Sequence, residues 1–277
     1  MKKEKLAIVA GGGGMVCDYS AGALCALGEK LKINPDIVVG SSGSTGSLAY
    51  FVSRRFESFR HIWTNLLVSK KFIDFKRRRR ILDIDYMIDG VFAKEDPLDI
   101  SKVKGSKIKF FISMTNYKTG KGEYKDSSGD VLNEIRASCS VPVVYGKRVR
   151  IGGKEYIDGS ISCGINDNVR KAIREGASKI IVIDANQKTS KFATLLFKIY
   201  SYFVNKNLRR TINEYCKKSR DDFKVSSRKI QIFYIKHEGR LPIWALDNKK
   251  RDLETTFNIG YNDVLGNKGL RKFLELG

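Results

Sequence analysis

Four consecutive glycines, Gly11 to Gly14, follow directly on the apolar run Leu6-Ala7-Ile8-Val9-Ala10 and lead into residues 18 to 31, whose apolar spacing is that of a helix. A strand that turns through glycines into a helix lets backbone approach a ligand closely, with several N–H groups aimed at one point near a helix N-terminus. Such a turn suits a phosphate or an oxyanion, and it points to an α/β chain. The rest of the sequence agrees. Strand-length apolar runs recur at 37 to 39, 108 to 114, 155 to 157, 179 to 184 and 230 to 235, separated in part by helix-like segments at 43 to 53, 129 to 139 and 166 to 176. This alternation predicts a mostly parallel central sheet flanked by helices on both faces, a three-layer α/β/α architecture.

Read alone, the glycine run also fits a structural turn or a nucleotide-binding loop. A dinucleotide fingerprint is disfavoured because Val16 or Cys17 falls where its last glycine belongs, and a P-loop is excluded by the missing G-K-[ST]. Two distant segments add chemistry. Ile37-Val38-Val39-Gly40-Ser41-Ser42-Gly43-Ser44 reads as a strand, small residues and a helix, the pattern of a turn that lifts a serine out of a strand end. Gly40 and Ser44 flank Ser42 at the two positions that must be small; the register with Ser44 at the apex and Gly46 behind it is the alternative. Tyr156-Ile157-Asp158-Gly159 places an acid at the end of a short strand. A serine hydroxyl needs a base. The only histidines, His61 and His237, lack triad-like surroundings, whereas a carboxylate partly withdrawn from water can serve directly.

The charge is uneven. Lys and Arg number 52 against 30 acids, and two segments, 54 to 80 and 187 to 228, each carry a net +8 of the total +22. That excess predicts a polyanionic partner. In the first segment Phe51, Phe56, Phe59, Trp63, Phe72 and Phe75 interleave with Arg54, Arg55, Arg60, Lys70, Lys71 and Arg77 to Arg80. Phe72, Phe75, Arg77, Arg78, Arg79 and Arg80 are expected to form a substrate-entrance surface that docks on anionic lipid. In the second, Phe192, Leu195, Leu196, Ile199 and Phe203 share one helical face over 191 to 210, opposite Lys191, Thr194, Lys198, Ser201 and Asn205; that face covers either the core or a lipid or partner surface. Five cysteines without metal-ligand spacing and a first apolar run too short for a signal peptide predict a cytoplasmic protein whose membrane contact is peripheral.

Taken together, these segments resemble bacterial patatin-like phospholipases. Gly12-Gly13-Gly14-Met15 with Ala21-Gly22-Ala23-Leu24 is similar to the family's oxyanion segment, Gly40-Ser41-Ser42-Gly43-Ser44 to its G-x-S-x-G elbow, Asp158-Gly159-Ser160 to its D-G-G/A motif, and Arg136-Ala-Ser-Cys-Ser-Val-Pro142 to the segment before it. Val16 and Cys17 depart from the family's Arg-Gly, and Ser44 from its last glycine. The resemblance implies one domain, 1–277, with a catalytic core at 6–186, a basic helical arm at 187–228 and a closing strand and helices at 229–277. It further implies a serine acyl hydrolase acting on lipid esters without metal or cofactor: Ser42 as nucleophile, Asp158 as base, and the amides of Gly12, Gly13, Gly14 and Gly43 as oxyanion donors. The partner expected is a lipid substrate at an anionic membrane surface rather than nucleic acid. The competing expectation is a catalytically impaired lipid- or nucleic-acid-binding protein on the same scaffold.

Overall fold

The computed structural model describes residues 4–77, 80–185, 190–217, 223 and 229–275. Among them, one mixed sheet contains β1 (Leu6–Ala10), β2 (Ile37–Gly40), β3 (Lys109–Asn116), β4 (Gly122–Lys125), β5 (Val149–Ile151), β6 (Lys154–Ile157), β7 (Lys179–Asp184) and β8 (Gln231–Lys236). The helices are α1 (Cys17–Glu29), α2 (Ser44–Val52), α3 (Ser58–His61), α4 (Ile100–Gly105), α5 (Val131–Ser138), α6 (Ile165–Arg174), α7 (Lys191–Ser201), α8 (Lys206–Lys217), α9 (Lys250–Leu265) and α10 (Lys268–Phe273), with wider π-helical turns over Ile62–Leu66 and Tyr86–Glu95.

Strands β3, β2, β1, β7 and β8 run parallel in that order, while β4 and β6 each pair antiparallel with β3 and β5 pairs antiparallel with β6. Side chains of β1 alternate between the two faces: Ile8 and Ala10 join a core with α1, α2, α5 and α9, while Ala7 and Val9 meet Val169 and Ala172 of α6. Helices therefore cover both faces, giving three α/β/α layers. The chain leaves β1 for β2 on one side and returns to β7 on the other. At such a switch point the carboxyl ends of the strands leave a crevice. The glycine turn lies there.

The pairing of β3 explains how two distant residues meet. Ile112 pairs with Lys125 of β4 and Gly40 of β2, and Thr115 pairs with Gly122 of β4 and Ile157 of β6. A strand has two edges, so β6 occupies the same edge that β2 vacates at Gly40. The residue after β6 is thereby delivered to the turn after β2.

Several expectations need correction. The single helix over 191 to 210 is two, α7 and α8, broken after Ser201, with the Asn205 side chain accepting the Leu208 N–H at the start of α8. Phe72 is 3% exposed and belongs to the core, as do Phe51, Phe59 and Trp63, so Phe72 is no part of a docking surface. Burying these aromatics holds the segment down, and its arginines are tied to the protein: Arg55 to Asp96, Arg60 to Asn258, Arg77 to Asp83 and Arg80 to Asp85. Phe75 is exposed and stacks on exposed Trp244; Arg78 and Arg79 lie outside the described residues. Gly260 sits inside α9. A Cβ there would come within 2.0 Å of the Tyr19 carbonyl oxygen, and one on Gly22 within 2.0 Å of that of Phe257, so α1 and α9 meet backbone to backbone.

Candidate active site

Ser42 stands between β2 and α2 with φ of +54°, the left-handed region that a side chain rarely adopts. The conformation is held from several sides. The Ser42 N–H donates to Ser138 Oγ at 2.9 Å, and the Ser42 carbonyl accepts from the Thr45 N–H at 2.9 Å and the Thr45 hydroxyl at 2.6 Å. Asn168 Nδ2 donates to Ser41 Oγ at 3.0 Å. Ser44 directs its hydroxyl to the carbonyls of Ala10 and Ser41 at 3.2 and 3.0 Å. The register with Ser44 at the apex is therefore not the one adopted.

Facing the elbow, Asp158 follows β6. Its N–H donates to the Ser140 carbonyl at 3.0 Å, its carbonyl accepts from Thr115 Oγ1 at 2.7 Å, and its Oδ1 accepts from the Ser160 N–H at 2.8 Å. The remaining oxygen, Oδ2, accepts from Ser42 Oγ at 2.6 Å across 116 residues of chain. Ser42 and Asp158 are 4% and 3% exposed. Burial pushes the Asp158 carboxyl up to about 6, against the opposing pull of the hydrogen bonds from Ser42 and Ser160. A carboxylate with that affinity is poised to take a proton near neutral pH.

The glycine turn closes over this pair. At Gly12 a Cβ would lie 2.1 Å from Ser160 Oγ and 2.8 Å from Ser42 Cβ, so only glycine lets the backbone pass the serine so closely. Gly14 has φ of +61° and is covered by the Ala245 carbonyl, which also accepts the Met15 N–H at 3.0 Å. Gly43 borders the Gly14 carbonyl and Cys17 Sγ, at 3.0 and 3.1 Å from its Cβ position, while Gly13 makes only ordinary contacts. Cys17 and Val16 have right-handed φ of −64° and −62°. The positive φ in this loop falls at Gly14, where no side chain opposes it, so neither Val16 nor Cys17 is asked for one.

The structure thus brings Ser42, Asp158, Gly12, Gly14 and Gly43 into one neighbourhood. His61 is exposed and bonded to Asn65, His237 is held by Asp263, and among the described residues neither is hydrogen-bonded to Ser42 or Asp158. Among those residues no group of three or more His, Cys, Asp or Glu is gathered closely enough to hold a metal ion. Sequence reasoning missed Thr115, Ser138, Ser140 and the Ala245 segment. Ser138 and Ser140 lie in the Arg136–Pro142 motif, which could have suggested them; Ala245 had no such signal.

The sequence matches the family model described as Patatin-like phospholipase over residues 8–169, more than half of its length. It is 25% identical over 251 residues to the uncharacterized protein YjjU of Escherichia coli strain K12, covering 87% of this chain and 68% of that one. The fold is similar to the crystal structure of VipD from Legionella pneumophila, with a TM-score of 0.54 at 12% identity over 95% of this chain and 66% of that one. The chain thus spans about two thirds of either protein. Fold, family match and the meeting of the three sequence motifs lead to one assignment: the chain belongs to the patatin-like phospholipase family, a family of lipid acyl hydrolases.

Proposed function

We propose that the protein is a serine acyl hydrolase of phospholipase A or lipid-esterase type, using Ser42 as nucleophile and Asp158 as base on the acyl esters of a lipid held at a membrane surface. The 2.6 Å hydrogen bond between Ser42 Oγ and Asp158 Oδ2 carries this reading. Asp158 accepts the serine proton as Oγ bonds to the ester carbonyl carbon. Negative charge then gathers on the carbonyl oxygen, where the amides of Gly12, Gly13, Gly14 and Gly43 are the donors, each worth a few kcal/mol if aimed at it. The carbon–oxygen ester bond breaks, and the leaving alcohol takes the proton from Asp158. Water next attacks the acyl–Ser42 ester, giving one proton to Asp158, which returns it to Ser42 Oγ as the fatty acid leaves.

A carboxyl near 6 must be ionised to act, so turnover falls as pH drops through about 6 and is flat above it until other groups titrate. The test is labelling by a fluorophosphonate together with hydrolysis of a chromogenic short-chain ester. Ser42→Ala is expected to abolish labelling, and Ser42→Ala and Asp158→Asn each to lower turnover at least ~10³-fold. A folded wild type that the probe leaves untouched would favour the impaired-binder reading, and labelling retained in Ser42→Ala would overturn the assignment of the nucleophile.

A further inference from the structure

Helix α7 lies on the protein with its apolar stripe turned outward. Phe192, Leu195, Ile199, Tyr202 and Phe203 recur along one side of the helix and its C-terminal turn, and all five are exposed, Phe203 at 79% and Tyr202 at 72%. The side that meets the body carries Phe197, edge-on to Tyr215, with Tyr200 and buried Ser201. Water is the wrong solvent for the outer side.

The charge around the stripe says what covers it. No acid occurs between Asp184 and Glu214, a stretch with six Lys or Arg. Lys191, Lys198, Lys206, Arg209 and Arg210 are exposed. Arg209 donates to the carbonyls of Ser201 and Tyr202 at 2.9 and 3.1 Å, which closes the C-terminal end of α7 and fixes a cation beside the last aromatics. Large apolar side chains rimmed by cations, with acids excluded, match the layering of an anionic bilayer, acyl chains within and phosphates at the rim. Long Lys and Arg stems reach from the apolar layer to the headgroups.

We infer that the outward face of α7 is a docking surface for anionic phospholipid bilayers. This places the contact on residues 191 to 210, not on the arginine-rich segment before residue 80. The inner side of the same hairpin packs Val204, Leu208 and Ile212 of the turn and α8 against Ile157 and Ile161, which bracket Asp158. The lipid contact is therefore built on the back of the turn that carries the carboxylate. The inference deepens the proposed action on lipids, and it is tested on Ser42→Ala protein so that binding and hydrolysis can fail separately.

Cosedimentation compares vesicles of phosphatidylcholine alone with vesicles containing phosphatidylglycerol at roughly one part in four. Ser42→Ala protein is expected to bind the anionic vesicles, and less so as salt is raised. Adding Phe192→Ser, Leu195→Ser and Phe203→Ser weakens binding on the order of a hundredfold. Because these side chains are exposed, the melting temperature is expected to stay unchanged, which separates lost binding from lost folding. In Phe203→Trp, brominated acyl chains quench the new tryptophan. Undiminished vesicle binding by the triple variant, absence of that quenching in bound protein, or a stripe needed for self-association instead of lipid binding would each overturn the inference.

Discussion

The two sides of the Asp158 turn are built on opposite terms. Toward Ser42, main chain and carboxylate are held by Ser140, Thr115 and Ser160, and the serine is kept in a left-handed conformation by Ser138 and Thr45. Toward α7 and α8, the contact is a small apolar cluster edged by two bonds to main chain, from Asn205 to the Tyr117 carbonyl and from Thr211 to that of Gly120, and the outer side of α7 and its C-terminal turn leaves five large side chains exposed. Directional bonds fix atoms to fractions of an ångström, whereas an apolar cluster fixes a surface and tolerates adjustment. The chain uses the first where a proton has to move and the second where a face has to meet something fluid.

Unfolding measurements test that contrast directly. Leu208→Ala, on the buried side of the hairpin, is expected to cost about 3 kcal/mol in urea unfolding, since the cavity cannot refill from solvent. Asp158→Asn has the opposite sign. Burial holds the folded carboxyl near 6 against an ordinary value of 3.8, so the fold favours its protonated form; that contribution is full below pH 4 and is lost as pH rises through about 6. The substitution should therefore raise stability by about 2–3 kcal/mol at pH 8 and by almost nothing at pH 4, while removing activity. Ser138→Ala leaves the Ser42 N–H without its acceptor and is expected to cost about 1–2 kcal/mol, with a lower rate of fluorophosphonate labelling as the readout of a loosened elbow. Leu195→Gln, on the outward face, should change unfolding by less than about 0.5 kcal/mol. If Leu195→Gln costs as much as Leu208→Ala, the outer stripe is packed against protein and the contrast fails.

What could be read in advance follows the same division. The parallel strands β1, β2, β3 and β7 were legible because strands covered on both faces are apolar almost throughout. β4, Gly-Glu-Tyr-Lys, offers neither an apolar run nor alternation, and β5 is only three residues long. Gly152 and Gly153, both at positive φ between β5 and β6, mark the hairpin by turn chemistry and not by any apolar run. In 191 to 210 the period showed two faces, but period does not say which of them meets the body; Val204, Leu208 and Ile212 win the contact with Ile157 and Ile161. At the site, residue types and spacing pointed to Ser42 and Asp158, whose roles in catalysis await the labelling test. The hydroxyls of Ser138 and Thr115 act on main chain, and such bonds leave no periodic trace.

The crossing of α1 and α9 also sets what can be cut or transplanted. Gly22 and Gly260 let the two backbones touch, so the tail helix roofs the one that begins at the glycine turn, although the family match stops at residue 169. A fragment trimmed to the matched stretch would lay bare a helix whose residues from Cys17 to Gly28 are all buried in the intact chain. Shuffling experiments on this scaffold therefore have to move residues 250–265 together with residues 11–29, as one inherited piece separated by more than two hundred positions.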